Sequence, residues 1–209
     1  DAKEAVKKHV TIPPGYFLSW TGQYEYLERM QNRMKIVLPL TLLLIFGFLY
    51  LSMRSVGKTV MVMVSVPLSL IGGILLMWVL GYNTSVAVWA GAIALIGVAV
   101  ETASIMIVFL DSAWRRRREQ GALHNEADFR SATMEGAEKS LRSVLMAVSM
   151  NIFGLLPVML ATGLGADVMK RLSSPMFGGL ISLTLLTLIV IPIVYMLREK
   201  RDVVRNQGP

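Results

Sequence analysis

A chain of 209 residues that is 54% hydrophobic and only 17% charged, with a mean hydropathy of +0.56, falls outside the soluble globular class. It has no cysteine, which excludes disulfides and thiolate metal sites, and His9 and His124 are too few to build a zinc centre. The net charge of +7 would suit nucleic acid, but the charge is segregated: residues 36–53, 59–100, 143–166 and 172–197 carry none, in runs of 18, 42, 24 and 26 residues.

In chain order, the first segment is "VTIPPGYFLSWTGQYEYLERMQNRMK". Val10 to Ile12 and Phe17 to Trp20 alternate enough for short strands, with Pro13-Pro14-Gly15 forcing a turn between them. From Gln23 the pattern turns helical, Tyr26, Met30 and Met34 recurring at i, i+4. So few strand residues bury no core alone. Residues 1–35 are therefore expected to be the short α/β end of a larger extramembrane domain lying upstream of residue 1. The first 30 residues are polar and basic, so no removable signal peptide is expected among them.

The rest reads as an all-α membrane protein. A bilayer core of ~30 Å needs roughly 20 apolar residues as helix, so the longest run holds two spans joined at Gly81-Tyr82-Asn83-Thr84-Ser85. Five transmembrane helices are predicted, over about 36–53, 60–80, 86–110, 143–162 and 174–197. Between the third and fourth, residues 111–142 are highly charged. Phe129, Ala132, Ala137 and Leu141 suit an amphipathic helix on the cytoplasmic surface, and a solvated linker fits equally well. Pro39, Pro67, Pro157 and Pro192 fall inside spans, where neighbouring helices must satisfy the freed carbonyls. Gly72-Gly73, Gly91, Gly97, Gly154 and Gly178-Gly179 offer surfaces for close helix contact, so the spans are expected to form a bundle.

Topology follows from the basic residues. From an outside N-terminus, alternation puts residues 54–58, loop 111–142 and tail 198–209 inside, and these hold 2, 7 and 4 of the Lys and Arg residues. The outside turns hold none and two, Lys170 and Arg171. The positive-inside rule is obeyed, with "WRRRRE", Trp114 to Glu119, as its strongest marker. No nucleic-acid partner is expected.

One carboxylate interrupts the third span, in "GVAVETASIMIVFL". Glu101 lies nine residues short of the cytoplasmic charges, roughly 15 Å deep at ~1.5 Å per residue. An ionisable group at the bilayer centre costs ~2.5 to 3.5 kcal/mol on insertion scales, so it persists where function demands it and is expected to face a bundle interior. There it can take up and release a proton, which a proton-coupled transporter uses directly; the plainer reading is a helix-to-helix hydrogen bond. Thr102 adjoins it, Ser104 shares nearly its face, and Asn151 lies at matching depth on the fourth span, making these the candidate proton relay. Among 14 methionines, Met106, Met146, Met150 and Met159 fall within spans, where packing is the ordinary role. Met169 differs, in the outside turn "TGLGADVMKR" beside Asp167, and thioether sulfur is a soft ligand for Cu(I) or Ag(I). No phosphate loop, nucleophile elbow or zinc signature points to an enzyme, and no cofactor is expected beyond a transported cation.

Three long stretches resemble the heavy-metal efflux branch of the resistance-nodulation-division transporters. "IPPGYFLSWTGQYEYLERM" resembles the close of that family's last periplasmic subdomain and its lead into membrane helix eight. "VPLSLIGGILLMWVLGYNTSVAVWAGAIALIGVAVE" resembles helices nine and ten, and "FGLLPVMLATGLGADVMKRLSSPMFGGLISLTLLTLIVIPIVY" helices eleven and twelve. On this resemblance residues 1–35 end a periplasmic porter subdomain, and residues 36–209 are helices eight to twelve of twelve.

The copper/silver subgroup has a carboxylate after "GVA" in helix ten, where Glu101 stands, and a methionine after helix eleven, where "DVM" puts Met169. It differs at "RSVLMA": Val144 stands where the subgroup has lysine, and the divalent-cation subgroup's "RPVLMT" matches partly. Cu+ or Ag+ is the favoured cargo, with zinc, cobalt or nickel the alternative. A drug exporter of the same superfamily and a non-transporting truncated fragment are further readings. The resemblance implies a proton-driven homotrimer of the bacterial inner membrane, bound to a periplasmic adaptor and an outer-membrane channel. It also places the principal acidic residues of the relay and the remaining metal-binding methionines upstream, so the isolated chain is not expected to pump.

Overall fold

The computed structural model describes Val6, residues 23–123 and residues 125–206. The strands and turn expected over 10–20 lie outside these residues. All regular structure among the described residues is helical, and five helical stretches are long and apolar enough to cross a membrane: Glu28–Met53, Val56–Leu80, Val86–Glu119, Glu126–Leu160 and Ala166–Arg201. The chain divides into two units, 1–39 and 40–209. In the first, the described helix carries an Arg29 to Glu25 ion pair one turn apart.

The helices are α1 (Gln23–Met53), α2 (Val56–Leu80), α3 (Val86–Glu119), α4 (Glu126–Leu160), α5 (Ala166–Leu185) and α6 (Ile191–Asn206), the last two joined by a π-helical turn, Leu186–Val190. Each boundary has a local cause. Gly81 closes α2 at φ 66°, a conformation glycine adopts at little cost, and Tyr82 N–H reaches the Met77 carbonyl at 3.0 Å. Ser85 caps α3, its hydroxyl accepting the Val88 N–H at 3.4 Å, and Arg116 to Arg118 fill the last turn, where the helix dipole favours cations. The Asp128 carboxylate accepts the Asn125 N–H at 3.0 Å where α4 begins. The π turn has its cause in Pro192: proline has no N–H for the Leu188 carbonyl, and Ile191 N–H bonds Leu186 O instead.

Within residues 40–209, α3 is the centre. Its Ala103, Met106, Ile107, Leu110 and Trp114 form one core with Val62, Phe129, Ala132, Ile191 and Tyr195. A smaller core joins Val144, Val148 and Leu180. α2 and α5 approach to backbone distance: a Cβ on Gly72 would stand 2.6 Å from the Gly178 carbonyl, and one on Gly73 2.7 Å from that of Pro175. Only glycine fits there, and Ser182 donates across the gap to the Ser69 carbonyl at 3.1 Å. Gly97 and Gly154, by contrast, face open space. From the end of α1, Leu49 and Met53 pack against the larger core.

Residues 111–142 correct the sequence reading. They form neither a separate surface helix nor a solvated linker, because α3 and α4 run on past their apolar spans as a helical hairpin. Phe129 and Ala132 of the expected stripe are buried against α3, while Leu141 is exposed. Phe129 stacks on Trp114 at 5.5 Å, and the Trp114 indole N–H donates to Thr133 Oγ1 at 3.1 Å.

Candidate functional site

Glu101 lies on the outward stripe of α3. Ala90, Ala94, Gly97, Glu101 and Val108 recur at three- and four-residue steps and are all exposed, with half-buried Ser104 beside them. Except for Glu101 and Val108 the side chains are small, so another helix could approach closely. The carboxyl has no hydrogen-bond or ion-pair partner among the described residues. Within this chain it faces out of the bundle rather than into it.

Its expected companions are engaged elsewhere. Thr102 is buried on the other side of α3, its hydroxyl donating to Val98 O at 2.8 Å. Ser104 shares the Glu101 face, and its hydroxyl donates to Val100 O at 2.6 Å. The Asn151 amide turns back to its own helix, donating to Ala147 O at 3.0 Å. Met169 sits in the first turn of α5 rather than in the preceding loop, and its side chain is exposed. Beside it Asp167 pairs with Arg171 at 3.0 Å, whose guanidinium lies 5.3 Å over the Tyr82 ring. Val144 is buried in the smaller core.

At the arginine-rich end the structure assembles a cluster that the sequence reading missed. Asp111 of α3 pairs with Lys58 of α2 and with Arg115 at 3.0 Å, and accepts the Tyr195 hydroxyl of α6 at 3.0 Å. Glu199 is 3.9 Å from Lys58, whose ammonium also lies 5.7 Å over the Tyr195 ring. Lys58, Asp111 and Glu199 are only 12%, 23% and 16% exposed, so losing one partner would leave a poorly solvated charge. A second node joins Arg116, Arg117 and Lys139 to Glu135 across the hairpin. A signal was available: Lys58, Asp111 and Arg198 border charge-bearing ends of their spans, and alternating topology brings all three to one side.

With this geometry in view, comparison with known proteins is decisive at the family level. Residues 1–199 match the model of the AcrB/AcrD/AcrF family. The chain belongs to that family. It is 39% identical over 199 residues to cation efflux system protein CusA of Escherichia coli strain K12, covering 94% of this chain and 19% of that protein. It is 37% identical over 202 residues to cobalt-zinc-cadmium resistance protein CzcA of Cupriavidus metallidurans, covering 97% and 18%. A crystal structure of a heavy metal efflux pump superposes with a TM-score of 0.79 at 33% identity, over 95% of this chain and 19% of the other. The chain thus spans about a fifth of the length of the relatives it matches. Its similarity reaches relatives named for different cations at nearly equal identity, so identity does not select the cargo.

Proposed function

We propose that this chain is the C-terminal membrane part of a proton-driven heavy-metal exporter of the inner membrane, with Glu101 a proton carrier and Cu(I) or Ag(I) the cargo. The observation that carries the reading is an intramembrane carboxyl on a stripe of small residues, without a partner among the described residues. A charge there is far more expensive in lipid than a neutral carboxyl, so protonation changes how α3 meets a neighbouring helix. Ser104 lies on the same face, and Ser104, Thr102 and Asn151 would each have to leave a backbone acceptor to donate within the relay. Met169 offers an exposed thioether at the opposite end from the arginine cluster, suited to a soft monovalent cation on the outer side.

The full protein acts in this reading as a homotrimer with a periplasmic adaptor and an outer-membrane channel. A divalent-cation pump is the second reading. Val144 favours it, because a buried valine stands where the copper/silver subgroup has lysine.

The test is metal tolerance of a sensitive bacterium carrying the full-length protein, wild type beside Glu101→Gln and Met169→Leu, on copper, silver, zinc and cobalt. Protection against copper and silver that Glu101→Gln abolishes and Met169→Leu weakens is the expected result. Protection against zinc or cobalt alone would give the divalent reading. No protection by the wild type would end the exporter reading.

A further inference from the structure

A groove runs between α2 and the last membrane helix, on a face distant in role from Glu101. Its apolar part encloses about 290 Å³ between Gly57, Val60 and Val64 of α2 and Val190 and Val194 of the π turn and α6. Val194 also borders a second recess of about 320 Å³, whose rim is Leu197, Arg198 and Arg201. The two adjoin at Val194, along one stripe of the last helix from Val190 up to Arg201. At ~1.5 Å per residue that stripe is roughly 16 Å long, about half the ~30 Å hydrocarbon core, which is the depth of one leaflet.

The charges at the rim differ from their neighbours. Lys58 is answered by Asp111 and Glu199, Arg115 by Asp111, and Lys200 by Glu126. Arg198 and Arg201 have no carboxylate among the described residues. Among the described residues Arg198 donates only to the neutral Ser55 hydroxyl, at 3.1 Å, its buried Nη1 has no acceptor, and the residue lines the recess. Two guanidinium groups one turn apart, above an apolar groove one leaflet deep, offer a phosphate two cationic contacts and an acyl chain a lined channel.

We infer that this groove binds an anionic phospholipid of the leaflet at the arginine-rich end, which the positive-inside rule makes the cytoplasmic one. Its phosphate lies against Arg198 and Arg201, and one acyl chain lies between α2 and the π turn. Lipid there fills the space beside the π turn, where the last helix departs from regular α geometry. The inference rests on the membrane placement of the helices and is independent of the cargo or of proton coupling.

The test is native mass spectrometry of the full-length protein in detergent, titrated with phosphatidylglycerol and with phosphatidylcholine of the same acyl chains. Wild type is expected to retain phosphatidylglycerol at least about fivefold more strongly, the discrimination that one surface cation supplies. Arg201→Glu should lose that preference, Arg201→Lys should keep most of it, and Val64→Trp should lower retention of both lipids by filling the groove. Arg201 is exposed, and among the described residues its side chain has no ion pair or hydrogen bond to another helix, so its variants separate binding from assembly. Equal retention of the two lipids by wild type would overturn the inference. So would an Arg201→Glu protein that keeps the preference, or a Val64→Trp protein that retains lipid unchanged because another helix of the full-length protein occupies the groove.

Discussion

Two carboxylates on α3 are treated in opposite ways. Asp111 receives a lysine, an arginine and a tyrosine hydroxyl; Glu101, further into the membrane on the same helix, receives no hydrogen bond or ion pair among the described residues. Physical cost explains the difference. A half-buried acid at the membrane boundary is stabilised by partners and in return fixes α2, α3 and α6 to one another. An acid within the span, on a face of small residues, marks surface that these helices do not complete among themselves. Paired groups build the scaffold, and the unpaired one is where chemistry is to be sought.

Substitutions can sharpen or break this contrast, and stability measured as detergent-solubilised thermal or denaturant unfolding of the full-length protein reads it. Trp114→Ala should have the largest effect, about 3 to 5 kcal/mol, because it removes the ring stacked on Phe129 and the donor to Thr133. Asp111→Ala comes next at about 3 kcal/mol, since Lys58 is left with the Tyr195 ring and one carboxylate, Glu199 at 3.9 Å. Combining it with Lys58→Ala should cost less than the sum of the two single changes, as expected for a coupled pair. Gly73→Leu should cost about 2 kcal/mol by forcing α2 off the Pro175 backbone. Smallest is Glu101→Gln, within about 0.5 kcal/mol, because no hydrogen bond or ion pair among the described residues is lost. A Glu101→Gln protein as destabilised as Asp111→Ala would break the contrast outright.

Much of the fold was legible in the sequence because charge exclusion is a blunt and reliable consequence of the bilayer. Five spans, the turn at 81–85 and the isolation of Glu101 all follow from where charges are absent. What escaped is what depends on packing across elements. The hairpin of α3 and α4 looked like a surface helix or linker because its polar face is continuous, and only contact with Trp114 shows where Phe129 goes. The π turn follows from Pro192, yet a proline in a membrane helix does not announce which carbonyl finds a new donor. Depth alone made Glu101 and Asn151 plausible neighbours, but helix rotation decides contact, and the Asn151 amide bonds Ala147 instead. The sequence "TGLGADVMKR" suggests an outside turn for Met169, whereas α5 starts at Ala166, early enough to include it.

The most direct test of the account is proton movement itself. Full-length protein reconstituted in vesicles with an internal pH-sensitive dye would be challenged with silver ion, wild type beside Glu101→Gln. Metal-dependent proton flux is expected in the wild type and none in the variant, at equal protein incorporation. Equal flux in both would show that the coupled proton does not pass through Glu101.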